Sequence, residues 1–330
     1  MNLTVPDQNI TLFNIFGDDF DRFAFPPGIR MYRVTSGHGG ESFLIVGSEK
    51  NALYDCGMAY CGKATADNIT QVLEMLNRTS DRHHTLDYIL LSHSHYDHIG
   101  ALGDILDHFP DAVVCASAKC RSILERENAL KLIRELGEEA RDQYAPDSGI
   151  PIRTDHFRVD RVLKDGEQLS LGEETITAYE TKGHTDCSLS FFIEPVGLLL
   201  TSESTGILEG KDYVHTPALK SFPDSIASSY RCEALRADYI CLPHSGMIPT
   251  GLNSKYFEQY RTECKSKMDF VKSLLQRKLS YDEMLDEYIA RYWTPIKESE
   301  QPFEAFRINS GHILNALLRA IEEEGDTEHV

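Results

Sequence analysis

Residues 93–98 read His-Ser-His-Tyr-Asp-His, three imidazoles and a carboxylate within six positions, all groups that bind divalent ions. The apolar run Tyr88-Ile89-Leu90-Leu91 precedes them and Ile99-Gly100-Ala101-Leu102 follows. A buried strand is therefore expected to end here and a helix to begin. Side chains alternate along an extended segment, so His93 and His95 point the same way and can grip one ion. The turn into the helix directs Asp97 and His98 to a neighbouring point, and one loop can then serve two metals. Single histidines are ordinary core or surface residues, and 13 in 330 residues is unremarkable. Four metal-competent side chains at one strand end are a metal signature.

The pattern His-x-His-x-Asp-His after a buried strand resembles the signature of the metallo-β-lactamase superfamily, and further segments match that family in order. Gly183-His184-Thr185 is similar to its Gly-His-Thr motif, and Leu242-Pro243-His244-Ser245-Gly246 to its late histidine. Residues 199–204 stand where the family carries a strand ending in Gly-Asp, whose aspartate bridges the metals. The nearest carboxylate here is Glu203, one methylene longer. Asp55-Cys56-Gly57 resembles the family's Asp-x-Gly, a position behind the ligands, although a plain turn reads equally well.

The resemblance implies an α/β fold, an αββα sandwich with a helical insertion and a helical C-terminal cap. Its site would place His93, His95 and His184 on one ion, Asp97, His98 and His244 on the other, and Glu203 between. Imidazoles with few carboxylates suit zinc first, then iron or manganese, over calcium or magnesium. Two divalent ions lower the pKa of a shared water. The expected function is thus dinuclear metal-dependent hydrolysis of a small ester, thioester or lactone by a metal-bridging hydroxide. Asp97 would orient the nucleophile and return a proton. The layout is most similar to the PqsE-like thioesterase/effector branch: Tyr96 within the motif, the run Gly183 to Asp186, a charged helical insertion, and a helical tail after the last histidine. The glutamate at 203 gives weight to an alternative, a metal-bearing regulatory or signal-binding protein with incidental hydrolysis.

The elements that must position these residues follow from periodicity. Met31–Thr35, Ser42–Val46, Ala52–Asp55, Ala112–Ala116, Thr175–Tyr179, Leu189–Ile193, Val196–Leu200 and Ile240–Leu242 read as strands, and Lys63–Leu76 as a helix. An N-terminal arm holds Phe13, Phe16, Phe20, Phe23 and Phe25. Residues 1–252 are expected to form the metallo-β-lactamase-like domain, with a charged helical insertion at 117–145. Residues 253–330 are expected to form a helical extension over the active-site side, with helices at Tyr256–Leu275, Tyr281–Trp293 and Phe303–Glu322.

Net charge is −19, which repels phosphate backbones and argues against nucleic-acid substrates. No apolar run approaches the ~20 residues of a membrane span, and residues 1–21 lack a signal-peptide pattern. The eight cysteines are expected to be reduced. Cys187, three residues after His184, stands where it could reach the metals but reads better as a packed thiol. The expectation is a cytoplasmic protein with a small-molecule substrate and no nucleic-acid or membrane partner; oligomeric state is not legible.

Overall fold

The computed structural model describes residues 21–209, 213–293 and 301–327. Strands β1 (Arg30–Arg33), β2 (Phe43–Val46), β3 (Asn51–Tyr54), β4 (Tyr88–Leu90), β5 (Val113–Ala116) and β6 (Arg161–Val162) form one sheet in that order. The chain meanders antiparallel through β1 to β3, then runs parallel from β3 to β6. Parallel neighbours need crossovers; α1 (Gly62–Thr79) makes the one from β3 to β4, and α2 (Tyr96–Ile99) with α3 (Leu102–His108) the next. The insertion after β5 is helical as expected, but breaks at Glu125 into α4 (Ala118–Leu124) and α5 (Glu127–Tyr144).

The second sheet begins with β7 (Gln168–Ser170), β8 (Thr175–Glu180), β9 (Leu189–Glu194) and β10 (Leu198–Leu200). A separate hairpin, β11 (Ile207–Glu209) with β12 (Tyr213–His215), and helix α6 (Phe222–Ala234) intervene before β13 (Tyr239–Leu242) and β14 (Gly246–Met247). Its order is β14-β13-β10-β9-β8-β7. The expected strand at Val196 starts two residues later, because Gly197, at φ +71°, closes the β9–β10 hairpin. The chain ends in α7 (Asn253–Gln276), α8 (Tyr281–Tyr292) and α9 (Phe303–Thr327).

Continuous apolar strands demand cover on both faces, and alternation assigns each side chain its layer. Phe43, Ile45, Tyr54 and Leu90 pack between the sheets with Phe191, Leu198 and Leu200. Their neighbours Leu44, Leu53 and Ile89 face outward onto Ile69 and Leu73 of α1 and Ile105 of α3. On the other side Leu199, Ile240 and Leu242 face Phe222 of α6, Tyr260 and Val271 of α7 and Leu317 of α9. The result is the helix–sheet–sheet–helix layering expected from the sequence. Phe23 and Phe25 of the arm pack on Phe43 with ring centroids at 6.4 and 5.6 Å; Phe13, Phe16 and Phe20 lie outside the described residues. No helix among those described is long and apolar enough to cross a membrane.

Helix α8 opens with a capping box, in which Ser280 and Glu283 each accept the other's backbone N–H. Ser280→Ala is expected to cost about 1 kcal/mol in urea unfolding; an unchanged midpoint would show that α8 is held by packing alone.

Candidate metal centre

Every candidate ligand sits just past a strand end, at one edge of the two sheets. His93 and His95 follow β4, His184 lies between β8 and β9, Glu203 follows β10, and His244 follows β13. Asp97 and His98 occupy the first turn of α2. His95 is its N-cap in extended conformation without making a side-chain cap bond, which leaves the imidazole available to the site. His184 depends on Gly183, at φ +131°, a conformation that favours glycine. The Gly183 carbonyl accepts the backbone N–H groups of Lys220 and Ser221, tying the loop to the start of α6.

These side chains meet in two groups, His93, His95, His184 and Glu203, and Asp97, His98, His244 and Glu203, with ligand atoms within 4.8 Å of one another. The structure thus brings all seven residues singled out in the sequence together, with Glu203 common to both groups. The extra methylene does not prevent the reach, because Glu203 stands in a short 3₁₀ turn, Glu203–Thr205, rather than at the strand terminus. Its Oε1 lies 2.8 Å from His98 Nε2, 3.2 Å from His244 Nε2 and 3.3 Å from His93 Nε2, and its Oε2 lies 3.4 Å from His184 Nε2.

The outer hydrogen bonds decide which ring nitrogens face inward. His184 Nδ1 donates to the Pro217 carbonyl at 2.6 Å. His98 Nδ1 lies 2.8 Å from Asp55 Oδ2. Ser92 Oγ donates to the same carboxylate at 2.6 Å, so it accepts from His93 Nδ1 at 2.9 Å. In all three histidines Nε2 is then the inward atom, the arrangement that fixes metal-binding imidazoles. His93 Nε2 is buried, and Glu203 Oε1 lies 3.3 Å from it. His184 Nε2 faces His95 Nδ1 at 2.9 Å, and His98 Nε2 faces His244 Nε2 at 3.1 Å. Acceptor atoms converging on shared space fit divalent cations.

The electrostatics agree. Burial pulls His93 and His184 down to about 4 and His95 to about 3, so all three are neutral, as ligands must be. Burial opposes charge on His98 as well, yet Asp97, with Asp55 and Glu203, holds it well above the usual imidazole range. Asp97 and Glu203 remain carboxylates despite burial, Asp97 held down by His98 and His244, Glu203 by the His244 imidazole hydrogen-bonded to it. An ion at this point would take the place of the His98 proton.

Asp55 is thus more than a turn residue: at φ +49° it is buried behind His98 and Ser92. Asp55→Asn keeps the shape but removes the charge that orients His98. We expect zinc affinity to fall about 10- to 100-fold in chelator competition, and equal affinity would remove Asp55 from the site.

Sequence reasoning misses Ser92 and the Pro217 carbonyl. Ser92 adjoins the motif and had a local signal; a backbone carbonyl has none. Cys187 Sγ sits 3.2 Å from Thr185 Oγ1 and 3.5 Å from Ser94 Oγ and belongs to neither ligand group, as expected of a packed thiol. All eight cysteines are buried and free. A cavity of about 320 Å³ opens on the centre, walled by Leu132 and Leu136 of α5 and Phe306 and Ile308 of α9. Insertion and C-terminal helix both border it.

The chain is similar to known proteins. The "metallo-beta-lactamase fold-containing protein ST1585" of Sulfurisphaera tokodaii is 27% identical over 176 residues, 53% of this chain and 66% of that protein. Hydroxyacylglutathione hydrolase of Citrobacter koseri is 26% identical over 186 residues, 53% of this chain and 60% of that protein. The match covers less than two thirds of either relative. Among solved structures, the metallo-beta-lactamase family protein TTHA1429 from Thermus thermophilus has the same fold, with a TM-score of 0.60 over 91% of this chain and 95% of that one at 18% identity. The family model described as "metallo-beta-lactamase superfamily" matches residues 36–244, a span holding all seven clustered side chains, and the chain belongs to that superfamily.

Proposed function

We propose that this chain is a dinuclear metal-dependent hydrolase of a small ester, thioester or lactone. The observation that carries the reading is the convergence of seven ligand-bearing side chains in two groups sharing Glu203. His93, His95 and His184 would hold one ion, Asp97, His98 and His244 the other, with Glu203 reaching both. The imidazole-rich set suits zinc, with iron or manganese as alternatives. When bound, such ions supply Lewis acidity and a water acidic enough to act as nucleophile near neutral pH.

The protein's own part is placement. Asp97 Oδ2 lies 3.5 Å from His98 Nε2 and 3.6 Å from His244 Nε2, and Asp97 lines the cavity. It is positioned to orient the attacking water and to hold a proton for the leaving group. Leu132, Leu136, Phe306 and Ile308 give an acyl group an apolar wall. The match to a hydroxyacylglutathione hydrolase and the PqsE-like layout around Tyr96 support a thioester. The charge of −19 speaks against polyanionic phosphodiesters.

Elemental analysis of protein purified without chelator, followed by a panel of thioesters, lactones and phosphodiesters, tests the reading. We expect two equivalents of metal and chelator-sensitive turnover of a thioester or lactone. Absence of metal-dependent turnover on every probe would sink the hydrolase and favour the regulatory alternative.

A further inference from the structure

Helix α7 contributes no candidate ligand, yet three fully buried polar side chains on it reach toward the centre. Tyr256, Tyr260 and Lys267 are 0%, 0% and 1% exposed, and their spacing puts them on one helix face. Buried hydroxyls and ammonium groups must find partners. What distinguishes these three is where the partners lie.

Ser225 Oγ donates to the Ser204 carbonyl at 2.7 Å. Its only proton is thereby committed, so at the 2.6 Å contact with Tyr260 the tyrosine hydroxyl donates to Ser225. Ser204 Oγ in turn accepts the backbone N–H of His184 at 3.1 Å. Tyr256 Oη donates to the Thr205 carbonyl at 2.9 Å. Ser204 and Thr205 directly follow Glu203. The fit is close: a Cβ on Gly206, at φ +100°, would stand 2.7 Å from Tyr260 Cδ2. Lys267 Nζ donates to the Thr216 carbonyl at 3.3 Å, next to Pro217, whose carbonyl accepts from His184 Nδ1. One helix face therefore fixes the turn bearing Glu203 and holds His184 through both its backbone and its ring.

We infer that Tyr256 and Tyr260 are positioning residues that set the metal affinity of the centre by fixing Glu203 and His184 from α7. This rests on the metal-centre reading above. The helix is a structural part of the site as well as an outer layer, and the affinity of the ligands depends on hydroxyls more than fifty residues beyond them.

The test is zinc affinity of the full chain, read by competition with a chromogenic chelator. Tyr260→Phe deletes one oxygen and keeps the ring; we expect about tenfold weaker zinc binding, and roughly a hundredfold for Tyr256→Phe/Tyr260→Phe together. Ser225→Ala breaks the same chain from α6 and is expected to match Tyr260→Phe, which keeps the test open if the double variant fails to fold. Tyr288→Phe is the control. Tyr288 is equally buried, but its hydroxyl has no hydrogen-bond partner among the described residues, so zinc affinity is expected to stay at the wild-type value. Wild-type zinc affinity in Tyr260→Phe and Ser225→Ala overturns the inference, as does an equal loss in Tyr288→Phe. A wild-type chain that takes up no zinc overturns the metal-centre reading itself.

Discussion

Glutamine at position 203 is expected to weaken zinc binding about 100-fold or more and to abolish any metal-dependent turnover, while leaving the fold intact. The substitution conserves volume, and no backbone geometry depends on the carboxylate. What it removes is the one negative charge common to both ligand groups. Glu203 Oε1 is within 3.3 Å of three imidazole nitrogens, and a neutral amide would leave His98, Asp97 and His244 to hold a dication with a single carboxylate. Changing groups behind the ligands already costs 10- to 100-fold in comparable sites, so loss of a shared ligand sets a floor rather than an estimate. Metal content and circular dichroism of Glu203→Gln decide the matter: two tightly held equivalents in the variant would show that Glu203 is not a ligand.

The second large effect is on stability. Gly183→Ala places a Cβ 2.4 Å from Ser225 Cα and 2.5 Å from Ser225 N, both backbone atoms of α6, at a φ of +131° that L residues rarely adopt. Neither partner can yield, because the Gly183 carbonyl is bonded to the Lys220 and Ser221 amides. Strain and overlap together are expected to cost about 3 kcal/mol. The displaced loop carries His184, so metal retention falls with it. Urea unfolding of the metal-free variant measures the first consequence. Wild-type stability would mean that loop and helix slide apart freely.

The candidate ligands were legible because most lie in short local patterns, a hydrophobic strand followed within a few residues by a histidine or a carboxylate. The layers were expected from the resemblance; a run such as Phe43-Leu44-Ile45-Val46 is apolar throughout, which tells that both faces are covered but not which side chain enters which layer. Helix α6 was not legible. Its buried face holds Phe222, Ser225, Ser228, Ser229 and Cys232, a helical spacing in which the apolar signal is replaced by serines. Ser225 and Ser228 donate to carbonyls of Ser204 and Lys182. A pattern built on hydrophobicity cannot see a face built on hydrogen bonds. The β11–β12 hairpin was missed as well: Ile207 to Glu209 and Tyr213 to His215 are too short to show a period. The Tyr260–Ser225–Ser204 chain joins residues far apart in sequence, and only the fold brings them together.

The place of α7 bears on how the protein comes to exist as a working molecule. In a growing chain all seven candidate side chains become accessible to ions before α7, which carries Tyr256 and Tyr260, has docked. Up to that moment the turn after β10 lacks its two outer supports, and an ion meeting the nascent polypeptide encounters loose imidazoles that bind whichever metal is most competitive. If α7 sets the metal affinity as inferred, selection of the metal falls to a chain whose last helices have docked.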